Sequence, residues 1–257
     1  MIVTGREAVL EVYAEAASKG WSVPTFCTEN QTTTEAILSA AQQRAEELGT
    51  KLPVTVAATC TLPHRPQLQN YAASSNWRTG QLLYLGDCEI LARPDGDYPD
   101  VKVLTHFDHG QPIGDKEALA GDLSRYSSVM FDASMFAWEE NLRRTADFVV
   151  ARGGEFVIEG ACDDISASDA GANEQLTTPA KAMEFFEATG VDFIVPNLGT
   201  EHRSSAATAK YHPEAARAIS ALTGPRLVVH GASSAPREDL ENAFADGVCK
   251  VNIWTTL

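Results

Sequence analysis

Residues 226–253 read RLVVHGASSAPREDLENAFADGVCKVNI. An apolar run over 226–230 gives way at Gly231 to small residues, Pro236 opens a stretch of helical period to Asp246, and a second apolar run fills 249–253. Short apolar runs rich in β-branched residues are strands buried on both faces, and a helical crossover between two of them makes them parallel. The same unit repeats outward from this stretch. Strands are expected at 23–27, 54–58, 101–107, 128–132, 155–159, 192–195, 226–230 and 249–253. Helices are expected at 33–48, 139–152, 179–189, 213–222 and 236–246, several opened by Pro or a Ser/Thr cap, with 81–93 as a further outer helix. Eight strand–helix units around one core predict an α/β fold, a (β/α)₈ TIM barrel, as one domain over 1–257. The outer helix that would follow the eighth strand is not in this sequence.

A chain of 257 residues with 44% hydrophobic content can bury one such core. The 35 acidic and 20 basic side chains leave a formal charge of −15, which opposes nucleic acid and anionic membranes as partners. No apolar run approaches the roughly 20 residues that span a bilayer, and residues 1–20 read as an amphipathic helix rather than a signal peptide. Five widely spaced cysteines without a C-x-x-C pair suggest neither a disulfide framework nor a thiolate metal site, so a cytoplasmic location is expected. Two long connections, 59–99 and 162–178, are expected to carry function; the second is small, polar and acidic, as a lid or a solvated loop would be.

In a parallel barrel the strands' carboxyl ends share one face, where the chemistry is done. The third strand ends in His106-Phe107-Asp108-His109-Gly110, the fourth in Asp132-Ala133-Ser134 and the fifth in Glu159. The sixth runs into Gly199-Thr200-Glu201-His202, the seventh ends in His230-Gly231-Ala232-Ser233-Ser234 and the eighth in Asn252-Ile253-Trp254-Thr255. His109, His202 and His230 thus converge, and three imidazoles with an open fourth position make a zinc-type site able to polarise a carbonyl and stabilise an enolate. Asp108 beside them is placed for general acid/base work. His106 either turns away by strand alternation or orients its neighbours, while His64 and His212 are read as ordinary structural or surface histidines. Gly231, Ala232 and Ser233, with Asn252 and Thr255, form a candidate anion site at the last two strands.

In order and spacing these motifs resemble the class II fructose-bisphosphate and tagatose-bisphosphate aldolases. Val-Pro-Thr-Phe at 23–26, His-Phe-Asp-His-Gly at 106–110, Ser-Val-Met-Phe-Asp-Ala-Ser at 128–134, Gly-Thr-Glu-His at 199–202, His-Gly-Ala-Ser at 230–233 and Gly-Val-Cys-Lys-Val-Asn-Ile-Trp-Thr at 247–255 carry the likeness. The resemblance implies a lyase of carbohydrate metabolism. It would reversibly cleave a ketose phosphate or bisphosphate to dihydroxyacetone phosphate and an aldehyde, through a metal-stabilised enediolate. It further implies Asp108 as proton donor, one Zn²⁺ on His109, His202 and His230, a second divalent or a monovalent cation near Asp132 and Glu159, and a homo-oligomer, dimer or tetramer. The substrate phosphate would lie on Gly231, Ala232, Ser233, Asn252 and Thr255, with Arg203 either adding a charge-assisted pair or simply filling the space. Departures from the family pattern bear on that phosphate. Arg203-Ser204 follows His202 where a glycine is usual, and Ala232 and Ser234 replace two glycines after His230. In the fifth-strand loop Asp163 and Asp164 replace a glycine-rich acidic pattern. These differences leave open an aldolase or isomerase of a non-phosphorylated or otherwise modified ketose, and, in another class, a non-catalytic metal-binding barrel.

Overall fold

The computed structural model describes residues 1–163, 176–200 and 210–254. Its strands are β1 (Val23–Cys27), β2 (Leu52–Thr59), β3 (Val101–Gly110), β4 (Ser128–Phe131), β5 (Val157–Ala161), β6 (Phe193–Val195), β7 (Leu227–Val229) and β8 (Val248–Ile253). They follow one another in chain order and close into a barrel of parallel strands. This is the TIM-barrel architecture expected from the alternation of strand and helix. The helices are α1 (Arg6–Ser18), α2 (Gln31–Leu48), α3 (Gln67–Asn70), α4 (Trp77–Leu91), α5 (Lys116–Leu119), α6 (Trp138–Arg152), α7 (Pro179–Thr189), α8 (Pro213–Thr223) and α9 (Arg237–Leu240). No helix among the described residues is long and apolar enough to cross a membrane.

Local chemistry sets the helix ends. The Asn30 side chain accepts from Thr33 N at the start of α2, and the Asn76 side chain accepts from Arg78 N and Thr79 N at the start of α4. That second cap begins α4 four residues before the stretch of helical period at 81–93. Within α1, Val9, Val12, Tyr13 and Ala16 are buried at helical spacing. Residues 1–3 run beside β3 instead of continuing that helix: Ile2 pairs with Val103, and Val103 N donates to Met1 O. The helix expected at 236–246 is broken into α9 and a 3-10 turn over Ala243–Asp246. Asn242, at φ −108° and ψ 13°, leaves helical geometry between them, and Gly247 at φ +92° ends the turn. The connection at 59–99 is mostly α3 and α4, whereas 164–175 of the other long connection lies outside the described residues.

The chain forms two compact units. One comprises Met1–Val12, Thr25–Phe131 and Gly154–Val157. Its buried core includes Val54, Val56, Val103, Leu104 and Phe107 of the strands and Leu38, Leu68 and Leu85 of the helices. Tyr84 and Tyr126 are completely buried there, with Tyr84 O–H donating to Val56 O and Tyr126 packed edge-on against Phe107 at 5.5 Å. The other unit comprises Tyr13–Pro24, Asp132–Gly153 and Ile158–Leu257. Its core gathers Ala182, Leu198, Tyr211, Ile219, Leu227 and Val248. A Cβ at Gly160 on β5 would lie 2.7 Å from the Phe185 ring of α7, so the helix seats closely only because that position is bare.

Candidate metal centre

In the first unit, β3 carries the densest cluster. Alternation along a strand sends consecutive side chains to opposite faces. The register of β3 on β4 shifts between Phe107 and Gly110, and His109 has φ +48°. This bulge bends the strand end and re-aims its side chains, where Asp108 and His109 are both buried, at 3% and 5% exposure. Gly110 makes the bend possible, because a Cβ there would meet Leu119 Cδ2 at 2.8 Å and Met130 O at 3.0 Å. Behind Asp108 stands His106, completely buried, with Nε2 3.4 Å from Asp108 Oδ1 and Nδ1 2.8 Å from Ser128 Oγ. On the other oxygen, the Cys27 thiol at the end of β1 points to Asp108 Oδ2 at 3.7 Å. His106 thus stands beside Asp108.

The loop after β3 is tied down by Asp115, a buried carboxylate that accepts from Gln111 N, Thr61 N and Thr61 Oγ1. Burial, with that carboxylate nearby, pushes the Cys60 thiol far above its ordinary range.

In the second unit, His230 directly follows β7 and is 1% exposed. Gly231 adopts the left-handed conformation at φ +66°, turning the chain into a 3-10 turn over Ala232–Ser234. Asn252 on β8 places Nδ2 3.0 Å from His230 Nε2, and Ser233 Oγ accepts from Trp254 N at 3.0 Å, so the ends of β7 and β8 are knitted together. Gly231, Ala232 and Ser233 therefore form one small-residue turn, with Asn252 of β8 beside His230. Glu159 on β5 is engaged by a cation that the chain itself supplies. Lys250 Nζ lies 2.7 Å from Oε1 and 2.9 Å from Oε2, and both side chains are fully buried. That pair takes up the carboxylate that the resemblance offered to a second metal. Asp132 is half-buried and turned into its own loop, its Oδ1 accepting from Ser134 N and Oγ. Asp163 is bound to Lys181 and accepts from Thr177 Oγ1 at 2.5 Å, which leaves it a clasp rather than a free acid. His202, Arg203 and Thr255, with Asp164, lie outside the described residues.

The remaining histidines behave as surface groups. His64 is exposed at φ +75°, and His212 pairs with Glu214 at the start of α8. Asp108 and His109 of the first unit are buried, as is His230 of the second. Imidazole nitrogens are donors that match a borderline-soft cation such as zinc. Cys27, Ser128 and Lys250 were not singled out in the sequence. The strand-end rule that selected Asp108 applies equally to Cys27, and a lysine inside the apolar run Val-Cys-Lys-Val requires a buried partner.

A family model described as fructose-bisphosphate aldolase class-II matches residues 7–257. The chain belongs to the class II fructose-bisphosphate aldolase family. It is 34% identical over 185 residues to the fructose-bisphosphate aldolase of Giardia intestinalis, a match covering 61% of this chain and 56% of the Giardia enzyme. It is 28% identical over 267 residues to the sulfofructosephosphate aldolase of Alkalicoccus urumqiensis, covering 99% of this chain and 81% of that one. With the D-tagatose-1,6-bisphosphate aldolase subunit GatY of Klebsiella oxytoca it shares 29% identity over 252 residues, covering 95% and 79%. Among solved structures, the fructose-bisphosphate aldolase of Campylobacter jejuni superposes with a TM-score of 0.74 at 19% identity, over 98% of this chain and 78% of that one.

Proposed function

We propose that this class II aldolase-family chain is a metal-dependent lyase that reversibly cleaves a phosphorylated ketose to dihydroxyacetone phosphate and an aldehyde. His109, His202 and His230 hold one Zn²⁺, and Asp108 moves the proton. The observation that carries this reading is the bulged end of β3, which buries an acid/base group and a metal-ligand type side by side. Ordinary strand geometry would have parted them. When bound, the cation supplies Lewis-acid polarisation of the substrate ketone. The chain's own residues do the rest. As the carbon–carbon bond breaks, Asp108 takes the hydroxyl proton of the carbon that becomes the aldehyde, the bond's electron pair stays with the dihydroxyacetone phosphate half, and the protonated carboxyl then delivers that proton to the carbon left behind. In the condensation direction the same carboxylate takes the proton back. Asn252 holds the His230 ring in place from β8, and the Gly231–Ser233 turn offers its backbone and hydroxyl donors to the anionic end of the substrate.

Chelation abolishes cleavage under this reading, and added zinc or cobalt restores it. A lysine adduct trapped by borohydride, with activity surviving chelation, would overturn it. A second reading concerns the substituent far from the ketone. A relative covering 99% of the chain is named a sulfofructosephosphate aldolase. Ala232 and Ser234 also depart from the usual glycines. Assaying fructose 1,6-bisphosphate, tagatose 1,6-bisphosphate and the sulfonated ketose phosphate side by side decides between them.

A further inference from the structure

We propose that His106, backed by Ser128, is a positioning residue that fixes the rotation of the Asp108 carboxylate for proton transfer. The Cys27 thiol holds the opposite oxygen. This rests on Asp108 being the proton-transfer group.

A carboxylate at a strand end can rotate about its last bond, and a proton moves efficiently only when one oxygen faces the reacting carbon. Here two side chains approach the two oxygens separately. His106 Nε2 is 3.4 Å from Oδ1, and Cys27 Sγ is 3.7 Å from Oδ2. The imidazole is itself braced, since Nδ1 lies 2.8 Å from Ser128 Oγ and the backbone N–H of His106 donates to the Tyr84 hydroxyl at 3.3 Å. One tautomer serves both ring contacts. Nε2 carries the proton and faces the carboxylate, and Nδ1 accepts from the Ser128 hydroxyl. The i, i+2 spacing of His106 and Asp108 sets both on the same side of β3, whose register on β2 runs unbroken to Asp108. A histidine with no exposed surface, placed between a hydroxyl and the acid/base group, is more than packing requires, because apolar residues would fill that volume without a polar cost.

The test compares His106→Ala, His106→Gln, Ser128→Ala and Asp108→Ala enzymes loaded with zinc, measuring kcat, KM and bound metal with fructose 1,6-bisphosphate and tagatose 1,6-bisphosphate. His106→Ala is expected to lose about tenfold to a hundredfold in kcat, a part of what general acid/base catalysis supplies, with KM and zinc content within about twofold of the parent. Glutamine, whose amide N–H reaches close to the place of Nε2, is expected to recover most of that loss. Ser128→Ala leaves the ring in place and is expected to give a smaller loss of the same kind; it carries the test if His106→Ala does not fold. Adding His106→Ala to Asp108→Ala is expected to cost nothing more, since the residue acts through the carboxylate. A crystal structure of His106→Ala supplies a readout independent of turnover and is expected to show the Asp108 carboxylate rotated.

Unchanged kcat with an unrotated Asp108 overturns the inference, as does an equal further loss in the Asp108→Ala background. Joint loss of zinc and stability in the glutamine and Ser128 variants does the same, marking the cluster as structural. Full activity in Asp108→Ala alone strikes the underlying reading of Asp108 instead, so the two failures are distinguishable.

Discussion

At the residue scale the chain places charged and polar groups where water cannot reach them, and each carries a consequence. Lys250 and Glu159 are fully buried and meet at 2.7 Å. Removing one partner of such a pair leaves an uncompensated charge in the interior, which costs about 3–5 kcal/mol. Lys250→Met is therefore expected to lower the unfolding free energy measured in urea by that amount, and Lys250→Met combined with Glu159→Leu to recover most of it. A single variant as stable as the parent would show that the pair contributes nothing. The same pair shows what could be read from the sequence and what could not. Glu159 stands at a strand end and was selected for that reason, but its partner lies 91 residues further on, and no spacing rule connects them. Asp108, His109 and His230 were legible because strand ends announce themselves by where apolar runs stop. The thiol of Cys27 beside Asp108 was not, since a cysteine closing an apolar run looks like any small core residue.

At the scale of elements, the order of strands and helices was legible from alternating apolar runs and helical periods, and it holds for all eight strands. The short helices α3 and α5 were not, because one turn carries too few residues for a periodic signal. The bulge in β3 was equally hidden: nothing in His-Phe-Asp-His-Gly says that His109 takes a left-handed conformation, although Gly110 hints at a close approach. Gly110→Ala tests that approach. With backbone and Leu119 in the way, it is expected to cost about 1–3 kcal/mol in denaturant unfolding and to lower activity with it. The cap on α4 makes a milder prediction, since Asn76→Ala removes the acceptor for two amides and should cost about 1 kcal/mol, read from the thermal midpoint. Loss of several times that would mean the cap holds more than its own helix.

At the scale of the whole molecule, the five cysteines are all buried and unpaired with one another. Burial pushes the thiols of Cys60, Cys88, Cys162 and Cys249 well above their ordinary range, so a thiol reagent at neutral pH is expected to label the native protein slowly and all five positions after unfolding. Fast native labelling would contradict that picture of the interior. Parallel strands in chain order close into one barrel, the architecture in which strand ends carry the chemistry. Family membership spans nearly the whole sequence and agrees with that architecture. The central claim separates metal binding from proton transfer, and zinc content measured alongside ketose bisphosphate cleavage in the Asp108→Ala enzyme tests it most directly. Bound zinc equal to the parent, with kcat reduced about 10²–10⁴-fold, is the predicted result; undiminished cleavage, or zinc lost together with activity, would contradict it.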